Sequence, residues 1–280
     1  MNSTIEEIVR QATQQLADAS PTARLDTEVL IMHVCNLSRT GLITQASHTP
    51  PPDQVQRLQE LLTCRAQGVP IAYLTGQREF LSLDLQVTAD VLIPRPETEL
   101  LVEQALTHIP PGVRWTIADL GTGSGAVALA IAKERPHCRV IATDICETAL
   151  AIAEANVVRL NIANVEFRHG NWLDPLAGQM LDMIVSNPPY IAEHDPHLTQ
   201  GDVRFEPRAA LVAGVDGLNA IRIIAAGAGT YLKPSGWLLL EHGHEQGLHV
   251  AQILRAHAYH GIHCHNDLAR HERVTVCGSA

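Results

Sequence analysis

Apolar residues recur at helical spacing through roughly the first 80 positions and then change rhythm. In STIEEIVRQATQQLADA, Ile5, Ile8, Val9, Ala12 and Leu16 share one face, with Ser3 or Thr4 placed to cap it. ARLDTEVLIMHVCNL repeats the pattern. PDQVQRLQELLTCRAQG does so again and stops at Gly68, a residue that suits a helix C-terminus. The HTPPP run at 48–52 is a loop leading into that third helix. Residues 1–79 therefore read as a small helical bundle.

From Glu79 the period falls to two. FLSLDLQVTADVLIP alternates through Leu81, Leu83, Leu85 and Val87, a strand signal. Thr88-Ala89-Asp90 are placed to turn that strand back into VLIP, which predicts a β-hairpin linker over 80–96. After Trp115, short apolar strands alternate with helices: TIADL, then AVALAIAKER, RVIATD, ETALAIAEANVVRL, VEFRHG and LDMIVSNPP. That order predicts a parallel sheet covered on both faces, an α/β domain over 97–280. GWLLLEHG adds a fifth strand, and GIHCH with ERVTVCG a final hairpin-like pair.

Composition narrows the function classes. A net charge of −10, with Lys133 and Lys233 the only lysines, argues against a general binder of nucleic acid or anionic membranes. No apolar run approaches the roughly 18 residues of a membrane span, and the N-terminus lacks the basic and apolar regions of a secretory signal. The six cysteines form no C-x-x-C pair and read as reduced thiols. The expectation is a cytoplasmic protein. Fifteen histidines, several in HGHEQGLH and HAYHGIHCHNDLARH, invite a metal. They lack H-E-x-x-H or paired C-x-x-C spacing, so no metal is expected. His263 and His265 read as one exposed strand face, and His242 and His244 as structural or solvated.

Two corners carry the chemistry. In DLGTGSGAVALAIA, Gly121, Gly123 and Gly125 lie between a strand and a helix, where missing side chains let the backbone turn sharply and approach a ligand. Asp144 ends the next strand, where an acid typically accepts hydrogen bonds from ribose hydroxyls. The spacing is G-x-G-x-G, not the dinucleotide G-x-G-x-x-G. Led by Asp119, it resembles class I S-adenosyl-L-methionine (AdoMet) methyltransferases. Asp119 is placed either to meet a positive amino group or to structure the loop. The second corner, Ser186-Asn187-Pro188-Pro189-Tyr190, ends the fourth strand of the series. Asn187 brings a carbonyl acceptor and N–H donors, the prolines fix the chain and leave carbonyls free, and Tyr190 offers a flat face. Together they suit a planar –NH2 group. The Asn187 side chain and the Pro188 carbonyl would accept its two N–H bonds and orient its nitrogen for methyl transfer. A rigid turn between strand and helix is the bland alternative.

DLGTGSG and NPPYI, with IPRPETE at 93–99, RLDTEVL at 24–30, FEPRAAL at 205–211 and EHGHEQG at 241–247, resemble the HemK/PrmC family of glutamine-N5 methyltransferases along nearly the whole chain. The resemblance implies a Rossmann-like, mixed seven-stranded sheet with a helical N-terminal domain for substrate recognition. It implies methylation of the glutamine in the Gly-Gly-Gln motif of class I peptide chain release factors, with S-adenosyl-L-homocysteine as product. Carried over by motif, Gly121, Thr122, Gly123, Ser124, Gly125 and Asp144 would bind AdoMet, and Trp172 would pack on its adenine. Asn187, Pro188, Pro189 and Tyr190 would bind the glutamine, with Asn187, Pro188 and Tyr190 catalytic and Asn187 also near the cofactor. Arg95 and Glu97 would be structural, while Arg204 and Arg208 either contact substrate or brace a loop. The expected state is a monomer with no direct nucleic-acid or membrane partner. Competing readings are a DNA adenine-N6 methyltransferase, methylation of another protein's glutamine, a non-catalytic AdoMet-binding module and, weakest, an NAD-dependent oxidoreductase.

Overall fold

The computed structural model describes residues 3–279, and the chain divides into two compact units. The first comprises the residues up to Gln77 together with Thr199–Phe205. Helix α1 (Ile5–Leu16) begins at Thr4, which forms a capping box with Glu7. Its buried Ile5, Ile8, Ala12 and Leu16 pack with Leu30 and Ile31 of α2 (Ala23–Cys35). Leu42 of α3 (Arg39–Thr44) and Leu58, Leu61 and Leu62 of α4 (Pro52–Ala66) close this core. The short α5 (Ile71–Thr75) ends at Gly76, which takes the left-handed conformation. Arg65 donates to buried Asp26 at 2.7 Å and to Asp202 at 3.3 Å, so one guanidinium ties α2 and α4 to the 199–205 segment. Arg204 donates to the Gln67 carbonyl at 2.7 Å and stacks over Phe205. It braces that segment.

The second unit opens with a hairpin of β1 (Gln77–Phe80) and β2 (Leu83–Gln86). This corrects the sequence reading, which put the reversal at Thr88-Ala89-Asp90 and the return strand in VLIP. The chain reverses at Leu81-Ser82, both left-handed with φ of 46° and 59°, as the primed turns of two-residue hairpins require. The Ser82 N–H donates to Glu79, which holds the turn without a glycine. A two-residue turn preserves the inside–outside alternation, so the apolar rhythm runs through it and hides it. Phe80, Leu83 and Leu85 are buried in the unit's main core.

The rest is a seven-stranded sheet in the order β5-β4-β3-β6-β7-β9-β8. Its strands are β3 (Thr116–Leu120), β4 (Arg139–Asp144), β5 (Val165–His169), β6 (Leu181–Ser186), β7 (Leu232–Glu241), β8 (His260–Asn266) and β9 (Glu272–Gly278). β9 runs antiparallel to both its neighbours, and the other pairings are parallel. Helices α6 (Glu99–His108), α7 (Ala126–Glu134) and α8 (Glu147–Leu160) alternate with the early strands, and α9 (Asn219–Ala228) and α10 (Gly247–Ala256) with the late ones.

Side chains alternate between two cores. Ile117, Met183, Val185 and Leu239 join the α6 and α7 side, whereas Ala118, Leu120, Ile184 and Leu238 join α9 and α10. α7 is buried from Ala126 to Ala132, which explains its alanine-rich sequence between sheet and neighbours. The chain steps outward from β3 to β5 and then crosses to β6 on the other side of β3. Leu120 is thus in register with Ser186, and the two corners leave the sheet side by side at its topological switch point.

Candidate active site

The glycine loop is held from below by Asp119. Its carboxylate is buried, accepts from the Thr122 hydroxyl at 2.6 Å and takes the Ala128 N–H at 3.1 Å. Of the two roles open to Asp119, these contacts serve the loop. Burial pushes its carboxyl up to about 7, with the Thr122 and Ala128 hydrogen bonds pulling the other way and nearby Asp144 raising it further. Below about pH 4 both folded and unfolded chains hold this proton; between about 4 and 7 only the folded chain does. Its contribution to stability is therefore complete below about 4 and lost as pH rises through 7. Urea unfolding across that window should show wild type losing stability relative to Asp119→Asn, by at most about 1.4 kcal/mol per pH unit. Parallel curves for the two proteins would mean that Asp119 is ionised throughout.

Gly121, Gly123 and Gly125 all have left-handed φ, at 70°, 56° and 86°. A Cβ on Gly125 would stand 3.2 Å from the Ala153 Cβ, so this glycine lets α7 approach α8. On Gly123 a Cβ would meet nothing within 4 Å, and that stretch of backbone is open. Asp144 Oδ2 accepts the Gly123 N–H at 2.9 Å and Oδ1 accepts the Cys146 N–H at 2.9 Å, which fixes the carboxylate at the mouth of β4.

Gly121, Gly123, Asp144, Trp172, Asn187 and Pro189 line one cavity of about 170 Å³. Thr122 and Ser124, expected among the cofactor-binding residues, do not line it. Both are buried, the Thr122 hydroxyl on Asp119 and the Ser124 carbonyl on the Asn156 amide at 2.9 Å. Gly125, Pro188 and Tyr190 do not line it either. The Trp172 ring lies over Gly121, where an added Cβ would be 3.2 Å from it.

The proline corner is locked from several directions. Ser186 donates its hydroxyl to the Leu120 carbonyl at 2.7 Å, coupling the ends of β6 and β3. The Tyr190 carbonyl accepts from Gln246 at 3.0 Å, and Ile191 forms a parallel bridge with Val212. Asn187 Nδ2 donates to the Thr98 hydroxyl at 3.0 Å. The Tyr190 hydroxyl donates to Glu241 at 3.4 Å, and burial together with that carboxylate raises its pKa.

Several site residues escaped the sequence reading. Thr98 precedes an apolar helix and reads as an ordinary cap, yet its side chain makes no capping bond. Ile145, 64% exposed just after Asp144, gives the cavity an apolar wall. Pro207, Ala209 and Ala210 line the cavity from FEPRAAL. Buried Asn156 joins the Gln86 backbone to the glycine loop through both ends of its amide. Arg95 is paired with the buried Glu206 side chain at 2.5 Å, and Arg208 donates to the Glu193 carbonyl at 3.1 Å, so both brace loops. His242 is buried and bonds the Thr275 hydroxyl at 2.8 Å. Among the described residues no group of three or more His, Cys, Asp or Glu is disposed to hold a metal, and no helix is long and apolar enough to cross a membrane.

Comparison with known proteins places this geometry. The PrmC N-terminal domain model matches residues 7–76 and the methyltransferase small domain model residues 96–204. A release factor glutamine methyltransferase from Xylella fastidiosa (strain Temecula1) is 49% identical, the match covering 90% of this chain and 92% of the relative. The Escherichia coli K12 protein of the same name is 47% identical over 96% of each. A methyltransferase structure from Pyrococcus furiosus superposes with a TM-score of 0.55 at 17% identity, covering 81% of this chain and 98% of that one. The fold is that of the class I methyltransferases, and the chain belongs to the release factor glutamine methyltransferase family.

Proposed function

We propose that this chain transfers the methyl group of AdoMet to the side-chain amide N5 of the glutamine in the Gly-Gly-Gln motif of class I peptide chain release factors. The observation that carries this reading is the position of Asn187. It lines the cavity edged by Gly121, Gly123 and Asp144, and its amide nitrogen is turned onto Thr98, to which it donates. Its carbonyl oxygen is the end left to meet an acceptor.

The residues present fit AdoMet. Gly123 leaves backbone open to the cavity, each oxygen of Asp144 retains a lone pair for a ribose hydroxyl, and Ile145 and Trp172 supply apolar walls for a planar base. When bound, AdoMet supplies a sulfonium methyl, electrophilic enough for direct transfer to nitrogen.

An amide nitrogen is a poor nucleophile because its lone pair is delocalised into its carbonyl. In this reading the Asn187 Oδ1 and the Pro188 carbonyl accept its two N–H bonds, turning the lone pair toward the methyl. The C–N bond forms as the C–S bond breaks, and the extra proton on nitrogen leaves afterwards to water. Glu241 sits behind Tyr190 with no exposed surface, so positioning and hydrogen-bond acceptors carry the rate, with no strong base at the nitrogen. Class I release factors work in the cytosol, which is where this reading places the chain.

The test supplies purified protein, methyl-labelled AdoMet and a class I release factor, in intact and Gln→Ala versions of the Gly-Gly-Gln motif, with duplex DNA as a separate acceptor. Label entering only the intact factor is expected. Label in DNA alone would assign the corner to adenine.

A further inference from the structure

The amide of Asn187 is useful in one orientation only. Its nitrogen and oxygen have nearly the same shape, so something in the protein must decide which of them faces the cavity. The neighbours that bear on this lie behind the corner. Thr98 Oγ1 receives the Asn187 N–H at 3.0 Å, and a hydroxyl that accepts this bond still has its own proton to give. Glu241 ends β7 without exposed surface. Its Oε1 takes the Tyr190 hydroxyl at 3.4 Å, its Oε2 has no hydrogen-bond partner among the described residues, and the Thr98 hydroxyl is close enough to favour its ionised form. An uncommitted hydroxyl proton and an unpartnered buried oxygen are complementary.

We propose that Glu241 is the positioning residue of this site: a buried carboxylate that draws the Thr98 hydroxyl proton inward, so that Thr98 can only accept from Asn187 and the Asn187 carbonyl is left facing the acceptor. A carboxylate accepts only, and a hydroxyl has one proton. With that proton on Glu241, Thr98 cannot donate to the Asn187 oxygen, and the reversed amide has no partner there. With the amide reversed, Oε2 would stay buried and bare, which is unfavourable. The same carboxylate anchors the Tyr190 hydroxyl, so one group sets both sides of the corner. It touches neither cofactor nor acceptor.

Charge around Glu241 is mixed. Arg273 of β9 lowers its pKa and Glu97, beside Thr98, raises it, while burial outweighs both and brings the carboxyl up to about 7. Arg95 and Arg273 also act on Tyr190. A protonated Glu241 can donate to Thr98 and release the Thr98 proton to the Asn187 oxygen, reversing the relay. Turnover is therefore expected to fall as pH drops through about 7, and Glu241→Gln to lack that limb.

The inference rests on the methyl-transfer reading, so its test has one readout that does not depend on it. Proton exchange of the Asn187 side-chain amide, followed by 15N NMR with Asn187→Ala for assignment, is expected to be slow in wild type and Thr98→Ser. It should be faster in Thr98→Val and in Glu241→Gln. Turnover of the release factor should fall about 10–100-fold in Thr98→Val and Glu241→Gln, recover in Thr98→Ser, and leave the AdoMet Kd unchanged. The double variant should be little worse than either single one, because both break the same relay. A folded, AdoMet-binding Thr98→Val protein with wild-type amide exchange and turnover would overturn the inference, even if Glu241→Gln proved unstable. A wild-type enzyme that never methylates the factor would overturn the functional reading, and the exchange comparison would still decide the relay.

Discussion

Asn187→Ala is expected to lower release-factor methylation by about 10²–10³-fold, the range seen when one preorganised polar contact to a reacting centre is removed. In the proposed reading the substitution deletes the acceptor that turns the glutamine nitrogen toward the methyl while leaving both prolines and the rigid backbone in place. Cofactor binding should survive, because Gly121, Gly123 and Asp144 are anchored independently, through Asp119, Thr143 and the Cys146 amide. Titration calorimetry with AdoMet and steady-state turnover on the same preparation separate the two effects. A large loss of kcat at an AdoMet Kd within about fivefold of wild type supports the positioning role. Equal losses in both would make Asn187 chiefly a cofactor residue, and turnover near wild type would move the chemistry elsewhere in the corner. Asn187→Asp is a sharper companion. It preserves the shape but replaces the N–H that Thr98 accepts with an oxygen, so it should be no better than alanine.

How much of this was legible beforehand follows from what each residue does locally. The helical bundle and the alternation of strands and helices in the α/β unit were open to periodicity, because each element buries one face or is buried outright, whereas the mixed sheet was implied only by the family resemblance. The glycine loop and the proline corner announced themselves through residues that make poor sheet or helix. The hairpin was misplaced because a Leu-Ser turn lacks the Asn or Gly that normally signals left-handed φ. α9 and α10 were not singled out, although both carry apolar faces that pack under the late strands. Thr98, Asn156 and Glu241 were hidden for a different reason. Each works through a partner distant in sequence: Thr98 through Asn187, Asn156 through Gln86 and Ser124, and Glu241 through Tyr190. A lone Thr before a helix or a Glu at a strand end has a common local explanation, and only the tertiary fold, which sets the end of β6 beside that of β7 and α8 beside β2, brings each to its partner. Thr122 and Ser124 sit within the glycine motif and are buried, Thr122 with its hydroxyl on Asp119, a contact the motif alone does not show.

Two glycines with almost the same idea written into their backbones should respond oppositely to alanine. Gly123 and Gly217 both have left-handed φ, 56° and 74°, so a side chain at either costs about 1–2 kcal/mol in backbone conformation. Their surroundings then diverge. A Cβ on Gly217 would stand 2.2 Å from the Tyr190 carbonyl oxygen, a backbone atom already held by Gln246 and unable to swing aside. Gly217→Ala must therefore displace the proline corner itself, with an expected stability loss of about 3–5 kcal/mol once the overpacking is added. Turnover should fall with it, because the displaced residue is one Asn187 is built next to. Gly123→Ala meets no protein atom within 4 Å, so thermal unfolding should register little beyond the backbone cost. Its methyl would enter the cavity beside Asp144, in space that the proposed cofactor needs, and AdoMet affinity should drop by about 10²-fold or more. Differential scanning calorimetry and AdoMet titration on the two variants give the four numbers. A stable Gly123→Ala protein that bound AdoMet like wild type would remove the glycine loop from the cofactor site. A Gly217→Ala protein of wild-type stability would mean that the corner is far softer than its hydrogen bonds imply, and with it the premise that rigid placement of Asn187 drives the reaction.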